Sequence, residues 1–516
     1  MALSPFQSEP SLDFAVPANR ADFAAALARV RDELGRTYPL VIGGQRVETG
    51  EVIESYNPSH PAEVVGRHAA ARGEQVEEAV SAGWAAFEGW SRTPVEERSA
   101  FLLRAAQVIR RRRRELAALM VFEVGKPWDE ADGETAEVVD LMEWYARQVL
   151  ELDGRGHLAA WPGELTQFRY LPLGVGAVIS PWNFPLALLT GMLTAAVVTG
   201  NCVVLKPART SSTTAAWLVD VLAELGLPAG VINLLTGHGE LVGEALVDHP
   251  RIRFVAFTGS REVGVRIYER GSKVQPGQRW LKRIQLEMGG KNAVVVDETA
   301  DLGLAAQAIT SSAFGYQGQK CSAGSRAVLV GPIYDEVVGR VLDLAGRIKV
   351  GDPVDPEVTM GPVIDGVAEA KILDYIRIGR GEGELLLGGG RRPGDGHFIE
   401  PTIFGGVAPS ATIAQEEIFG PVLTVIRARD FEHALTIAND TEYGLTGSYI
   451  SRDPERIARA KDRFHVGNLY INRRSTGAYM GVHPFGGFNM SGTDTKAGGP
   501  DYLLFFVQGQ SVAECL

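Results

Sequence analysis

Between residues 175 and 259 the chain repeats one unit, a short apolar run closed by Gly, Pro, Ser or Asn and followed by a helical stretch. The runs are VGAVIS, CVVLKP, GVINLL and RFVAFTG, and the helical stretches between them cover 186–199, 211–225 and 239–248. Strands that are apolar throughout are buried on both faces, and helices at this spacing supply the cover. The pattern calls for βαβ units around a parallel sheet. A second α/β stretch begins at AVVVDE (293–298) and runs to about residue 470, with RAVLVG, VLTVIRA and HVGNLYINR as strands. The first 75 or so residues are mixed, helical at RADFAAALARVRDELGR and hairpin-like at YPLVIGGQRVETGEVIESYNP with its Gly-Gly turn. Helices are predicted from 74 to 150, broken near 91–94 and 125–127.

At 516 residues the chain is too long for one core and suggests two or three domains. A net charge of −12 argues against nucleic acid as a partner. The exception is a run of five arginines at 110–114, which reads as a solvated helix face. Three cysteines make no disulfide framework, and without a C-x-x-C pair or a Cys/His cluster no metal is expected. A reducing, cytoplasmic setting fits that usage. Cys202, inside NCVVLK, reads as inert core, and Cys515 as part of a surface tail. The opening MALSPFQSEPSLDF lacks the basic and apolar regions of a signal peptide. From 170 to 205 there is no charged residue, but Pro181, Asn183, Pro185, Gly200 and Asn201 interrupt the run, so no membrane span is expected. The tail DYLLFFVQGQSVAECL reads as an apolar strand; left unpaired it would be a liability, so pairing with another subunit is expected.

A parallel sheet of this kind binds dinucleotides at the carboxyl ends of its strands, yet no strict G-x-G-x-x-G occurs. GHGELVG (237–243) is a near miss, and MGGKN (288–292) lacks the spacing of a P-loop. FTGSREVG (257–264) follows a strand directly, and its Gly259 and Ser260 would open a helix whose N-terminal amides suit a pyrophosphate. A Gly-Ser turn is more commonly only a turn. In SPWNFP, Asn183 lies at a strand end between two prolines, placed either to donate to an oxyanion or simply to turn the chain. In LEMGGKN, Glu287 ends an apolar strand, as a paired carboxylate or as a partly desolvated base. EEIFGPV offers Glu417 and Phe419 before a Gly-Pro turn. Cys321, in FGYQGQKCSAGS, reads on its own either as a nucleophile or as a small hydrophobe.

Taken together, PWNFP, KPA, FTGSREVG, LEMGGKN, GQKCSAGSR, EEIFGPV and PFGGFNMSG, in that order over nearly the whole chain, resemble the aldehyde dehydrogenase superfamily. The resemblance implies an α/β fold with a Rossmann-type cofactor domain, an α/β catalytic domain and a small oligomerisation strand element. It implies that 1–153 is an N-terminal arm with the first part of the NAD-binding domain, 154–172 an oligomerisation hairpin, 173–287 the Rossmann-type core, 288–484 the catalytic domain, and 485–516 a return segment and oligomerisation tail. Cys321 would be the nucleophile, Glu287 the general base and Asn183 an oxyanion donor beside the Cys321 backbone N–H. Lys206 and Glu417 would hold the two riboses of NAD, Ser260 the pyrophosphate, and Phe419 would pack by the nicotinamide. Ser180, Pro181, Trp182, Ala208, Arg209, Gly237, Gly239, Gly243, Phe257, Thr258, Gly259, Gly264, Met288 and Gly289 would complete the cofactor's surroundings. Such chemistry is thiolate attack on an aldehyde, hydride loss to the cofactor, and hydrolysis of a thioester, with no metal.

A second, tighter resemblance, carried by TGAYMGVHPFGGFNMSGT and FGYQGQKCSA, is to the L-glutamate γ-semialdehyde dehydrogenase subfamily, which makes glutamate in the second step of proline breakdown. It implies that Ser322, Gly477 and Ala478 hold the substrate carboxylate while Phe184 and Phe485 flank its aliphatic chain. It further implies a homo-oligomer, a dimer or an assembly of dimers, and a separate proline dehydrogenase, since no residues are left over for one. One departure stands out. Many relatives carry an acidic residue third after the KPA lysine, where this chain has Arg209, so NADP is a possible cofactor beside NAD, unless Arg209 only faces solvent. Another semialdehyde as substrate, or a catalytically idle binding relative, are the alternatives.

Overall fold

The computed structural model describes residues 3–153, 158–493 and 495–516. The four apolar runs form the strands Val175–Ile179, Cys202–Lys206, Ile232–Leu234 and Phe254–Thr258, and Arg283–Glu287 extends the set. All five are parallel, in the spatial order 283–287, 254–258, 175–179, 202–206, 232–234. Chain order reverses direction beside Val175–Ile179, which makes the carboxyl end of that strand the switch point of a doubly wound sheet. Nearly every residue of these strands is buried, as the unbroken apolar runs require. At Gly176 a Cβ would come within 2.0 Å of the Phe254 ring, so only glycine lets that ring seat across the strand.

The early hairpin joins the same sheet. Leu40–Ile42 and Gln45–Val47 pair antiparallel, and Val41 pairs antiparallel with Leu234. Gly43 and Gly44 turn the corner at φ 58° and 77°, the left-handed pair that a two-residue turn of this hand needs. The helices fall at Pro17–Arg31, Gly73–Trp90, Val95–Arg111, Arg113–Val124 and Trp128–Asp153. The expected breaks are present, and Gly125 closes its helix at φ 65°.

A second sheet runs Glu384–Leu387, Thr402–Gly405, Val422–Ala428, Arg326–Val330, Ala293–Val296, Thr446–Ile450, Asn468–Ile471, parallel except at the first strand. Helices Leu302–Phe314 and Tyr334–Ala345 pack on one face, Phe431–Asn439 and Gly366–Glu382 on the other. Among the described residues no helix is long and apolar enough to cross a membrane.

One expectation is corrected. The arginine run is not a solvated face. The helix breaks at Arg112 (φ −99°, ψ 14°), and Arg113 turns inward to a two-pronged pair with Asp132 at 2.5 and 2.6 Å. Arg110 bonds Glu9 and Glu143, Arg112 lies 4.0 Å over the Trp217 ring, and Arg114 faces Asp22. Only Arg111 is exposed. The cause is the next helix in the chain, the acidic Trp128–Asp153, and the acidic N-terminal arm, both packed opposite. The tail strand, Val507–Cys515, runs antiparallel to Glu164–Pro172 of its own chain, Val507 opposite Pro172 and Cys515 opposite Glu164, and this pairing takes up only one of its two edges. The result is a two-stranded ribbon whose tail strand is mostly exposed. Residues 154–157, the start of the segment expected to form an oligomerisation hairpin, lie outside the described residues. Cys515 is exposed, and Cys202 is buried with its thiol pushed up to about 12 by loss of solvent.

Candidate functional site

Strand register alone brings several of the predicted residues together. Glu287 pairs with Thr258, Phe257 with Ile179, and Ile179 with Lys206. Thus Glu287, Thr258, Ser180 and Lys206 stand side by side along the carboxyl edge of the first sheet. Lys206 is buried and donates from Nζ to the Pro207 carbonyl at 2.8 Å; loss of solvent pulls its ammonium down to about 8. The Ser180 hydroxyl is buried and meets no acceptor in the protein. Gly237, at φ 153°, leads into a single wide helical turn, Gly239–Gly243, whose last residue faces the Lys206 stem. Ser260 caps the helix Arg261–Ser272 by accepting from the Val263 N–H. A Cβ at Gly259 or Gly264 would strike Phe257 or Met288, so this turn stays open only with glycine at both places. Pro181 follows Ser180, Ala208 precedes the turn Arg209–Ser211, and Arg209 is exposed, within Coulombic reach of Tyr56.

Cys321 reaches the same edge from the second sheet. Its loop is wound by three consecutive left-handed residues, Tyr316 (φ 48°), Gln317 (φ 56°) and Gly318 (φ 68°). Bulky residues keep such angles only where surroundings over-determine them. Here the Tyr316 hydroxyl donates to the Val124 carbonyl at 3.0 Å, and the Gln317 amide to those of Gly125 and Pro362. Beyond the turn, Asn292 donates to the Cys321 and Ala323 carbonyls at 2.7 and 2.8 Å. Asn183, brought by the turn after Val175–Ile179, donates from Nδ2 to the Gln319 carbonyl at 3.0 Å, two residues before the cysteine. Its second amide hydrogen is not consumed by that bond.

Two carboxylates stand near the thiol. Glu287 accepts from the Gly487 N–H at 3.3 Å; Glu417 accepts from the Gly290 N–H at 3.0 Å and lies close over Gly289. Loss of solvent, then Glu417 and Glu287, push the Cys321 thiol up to about 12, against a smaller pull from the Ser322 and Cys321 amides. Burial also raises Glu417. Phe419 holds φ 60° and sets its ring edge-on to Trp182 at 5.6 Å.

One cavity of about 400 Å³ gathers the rest: Cys321, Glu287, Thr258 and Met288 line it together with Phe184, Ser322, Gly477, Ala478 and Phe485. Gly477 takes φ 79° against the Arg474 guanidinium, and Arg473 donates to its carbonyl. Other walls were not foreseen: Ser8, Glu9 and Leu12 of the N-terminal arm, Lys320, Arg474, and the carboxylates of Glu130, Glu134 and Glu137. The last three recur at i, i+4 and i+7 on one helix face, a spacing that was open to view in the sequence. Glu137 is raised to about 8 by burial and by Glu134, while Lys320 donates to Glu130 at 2.6 Å. No group of three His, Cys, Asp or Glu side chains among the described residues is placed to hold a metal ion.

The model of the aldehyde dehydrogenase family matches residues 46–512. The chain belongs to that family. Its fold is the family's, two α/β units meeting at the cysteine. It is 56% identical to 1-pyrroline-5-carboxylate dehydrogenase of Geobacillus kaustophilus over 99% of both chains. The crystal structure of 1-pyrroline-5-carboxylate dehydrogenase from Thermus with bound NAD superposes with a TM-score of 0.98 at 50% identity, covering 100% of both chains. Proline utilization A from Bdellovibrio bacteriovorus matches at 46% identity with a TM-score of 0.97, covering all of this chain and 54% of that one.

Proposed function

We propose that the chain is an NAD-dependent aldehyde dehydrogenase that oxidises L-glutamate γ-semialdehyde, the open-chain form of 1-pyrroline-5-carboxylate, to L-glutamate in proline degradation. One observation carries this reading: the nucleophilic thiol, a carboxylate and a Gly-Ala turn with a serine beside it all face one cavity of about 400 Å³, in a chain that matches 1-pyrroline-5-carboxylate dehydrogenases end to end.

NAD fits the carboxyl edge of the first sheet. The uncommitted Ser180 hydroxyl, the buried Lys206 ammonium and the glycine-only turn at 259–264 offer a donor, a cation and a helix start to a dinucleotide. Ser260 would hold the pyrophosphate, Lys206 and Glu417 the riboses, and Phe419 the nicotinamide. Bound there, NAD supplies the hydride acceptor that converts a thiohemiacetal to a thioester.

The chain's residues do the rest. Cys321 Sγ, once its proton has passed to water, adds to the aldehyde carbon, and the oxyanion so formed takes hydrogen bonds from the Asn183 amide and the Cys321 N–H. Glu287 then removes a proton from the water that hydrolyses the thioester and frees the thiol. At the far end of the substrate its carboxylate would lie on Ser322 and on the N–H groups of Gly477 and Ala478, which hold an anion without placing a full charge beside the reacting carbon. Phe184 and Phe485 would pack on the methylenes between. NAD is the first choice of cofactor, and the exposed Arg209 leaves NADP possible beside it.

The protein would act in the cytoplasm as a homo-oligomer built through its exposed ribbon, receiving substrate made by a separate proline dehydrogenase. The deciding test is a comparison of kcat/KM for glutamate semialdehyde and for pentanal, followed as NADH release. A ratio of orders of magnitude is expected, since a buried donor set left unpaired is costly; equal values would overturn the substrate and leave the dehydrogenase chemistry standing.

A further inference from the structure

The chemistry above makes no use of one buried ion pair. Lys126 and Glu134 have no solvent exposure at all, and Nζ lies 2.6 Å from Oε2. Such a pair rarely repays its desolvation in stability, so what it holds in place is the better question. The ammonium sits 3.7 Å from the centre of the Phe184 ring and 4.3 Å from that of Tyr316, and those two rings meet edge to face at 81°. Glu134 turns its other oxygen to the N–H groups of Leu186 and Ala187, at 2.8 and 2.9 Å, where the helix Ala187–Val198 begins. Phe184 lines the substrate cavity, whereas Tyr316 opens the left-handed turn that leads to Cys321. One ion pair therefore grips both flanks of the cavity, the segment carrying Asn183 and Phe184 and the turn carrying the nucleophile.

We propose that Lys126 is a positioning residue for substrate selection: by occupying one face of Phe184 it fixes that ring as a wall for the aliphatic chain, a role that rests on the substrate reading given above. A ring whose face is committed to a desolvated cation resists reorientation. A five-carbon aldehyde has more methylenes to lay along the wall that Phe184 contributes to the cavity than propanal has, so propanal depends on that wall less. Lys126 thus acts on affinity for long substrates and not on the reacting carbon.

The test is a double-mutant cycle of Lys126→Met and Phe184→Ala, read with glutamate semialdehyde and with propanal. Each single variant should lower kcat/KM for the semialdehyde about 10–100-fold, the scale of a lost apolar contact, through KM. With Lys126→Met, propanal should change less than about threefold, and for the semialdehyde the double variant should be no worse than either single one, because both remove the same wall. Lys126→Arg, which keeps a cation for the rings, should restore most of the selectivity. Parallel losses in kcat for both aldehydes, or effects that multiply in the double variant, would show a purely structural role and overturn the proposal. Where the single Met variant does not fold, Lys126→Met combined with Glu134→Gln removes both charges and is read the same way. A parent enzyme that does not prefer the semialdehyde over pentanal would overturn the substrate reading instead, and the cycle run on pentanal against propanal would still decide Lys126.

Discussion

The Cys321 thiol of the free protein is pushed up to about 12, so the neutral form predominates at pH 8. The sign follows from the causes: lost solvent and two nearby carboxylates both disfavour a second negative charge, so the neutral form persists until high pH. Alkylation of Cys321 by iodoacetamide, in a Cys515→Ala background, should rise about tenfold per pH unit from 7 to 10. A plateau in that range, read by mass spectrometry of the 314–325 peptide, would contradict this. Turnover gives the complementary checks. Cys321→Ala should abolish oxidation, while Glu287→Gln should give a burst of NADH in rapid mixing and then little further turnover. Removing the Asn183 amide should cost roughly 10²–10³ in kcat with little change in aldehyde affinity; a loss of only a few-fold would reduce Asn183 to its bond with the Gln319 carbonyl.

The arginine run shows what a helix can hide from its sequence. A solvated face and a buried clamp read alike, because the choice rests with Asp132 and Glu143 on the next helix and with Glu9 in the distant N-terminal arm. Arg113 and Asp132 are buried together, and breaking a buried pair by removing one partner costs about 3–5 kcal/mol. Arg113→Ala should therefore lower the denaturation midpoint sharply and expose the arm near Pro10 to limited proteolysis, since Arg113 also donates to the Pro10 carbonyl. Arg111→Ala, at an exposed position, should stay within about 0.5 kcal/mol of the parent. Equal effects of the two would refute the clamp. Elsewhere the elements were plain in the sequence for stated reasons: unbroken apolar runs of five mark strands covered on both faces, and Gly43–Gly44 and Gly125 mark the one backbone region that other residues avoid.

At the scale of the whole molecule, the two sheets meet where the end of strand Arg283–Glu287 places Glu287 beside the loop of Cys321. That junction was legible because each contributing residue ends a strand or follows a glycine turn. The outer walls were not. Lys126 and the arm residues lie in a loop and in extended chain whose local pattern gives no hint of what they face, and only tertiary packing delivers them. The ribbon of Glu164–Pro172 and Val507–Cys515 leaves most of its tail strand in water, and two strands alone are marginal there. Deleting 508–516 should reduce the particle to a smaller assembly in light scattering, while an unchanged mass would show that oligomers form elsewhere.

The N-terminal arm carries a consequence for synthesis. Leu12 donates its N–H to Asp132, 120 residues further on, and Ser8 and Glu9 bond to Asp140, more distant still. At about 5–20 residues per second, the ribosome delivers those partners some ~6–25 s after the arm itself. For that interval the first segment made, which contributes Ser8, Glu9 and Leu12 to the rim of the substrate cavity, has nothing to dock on.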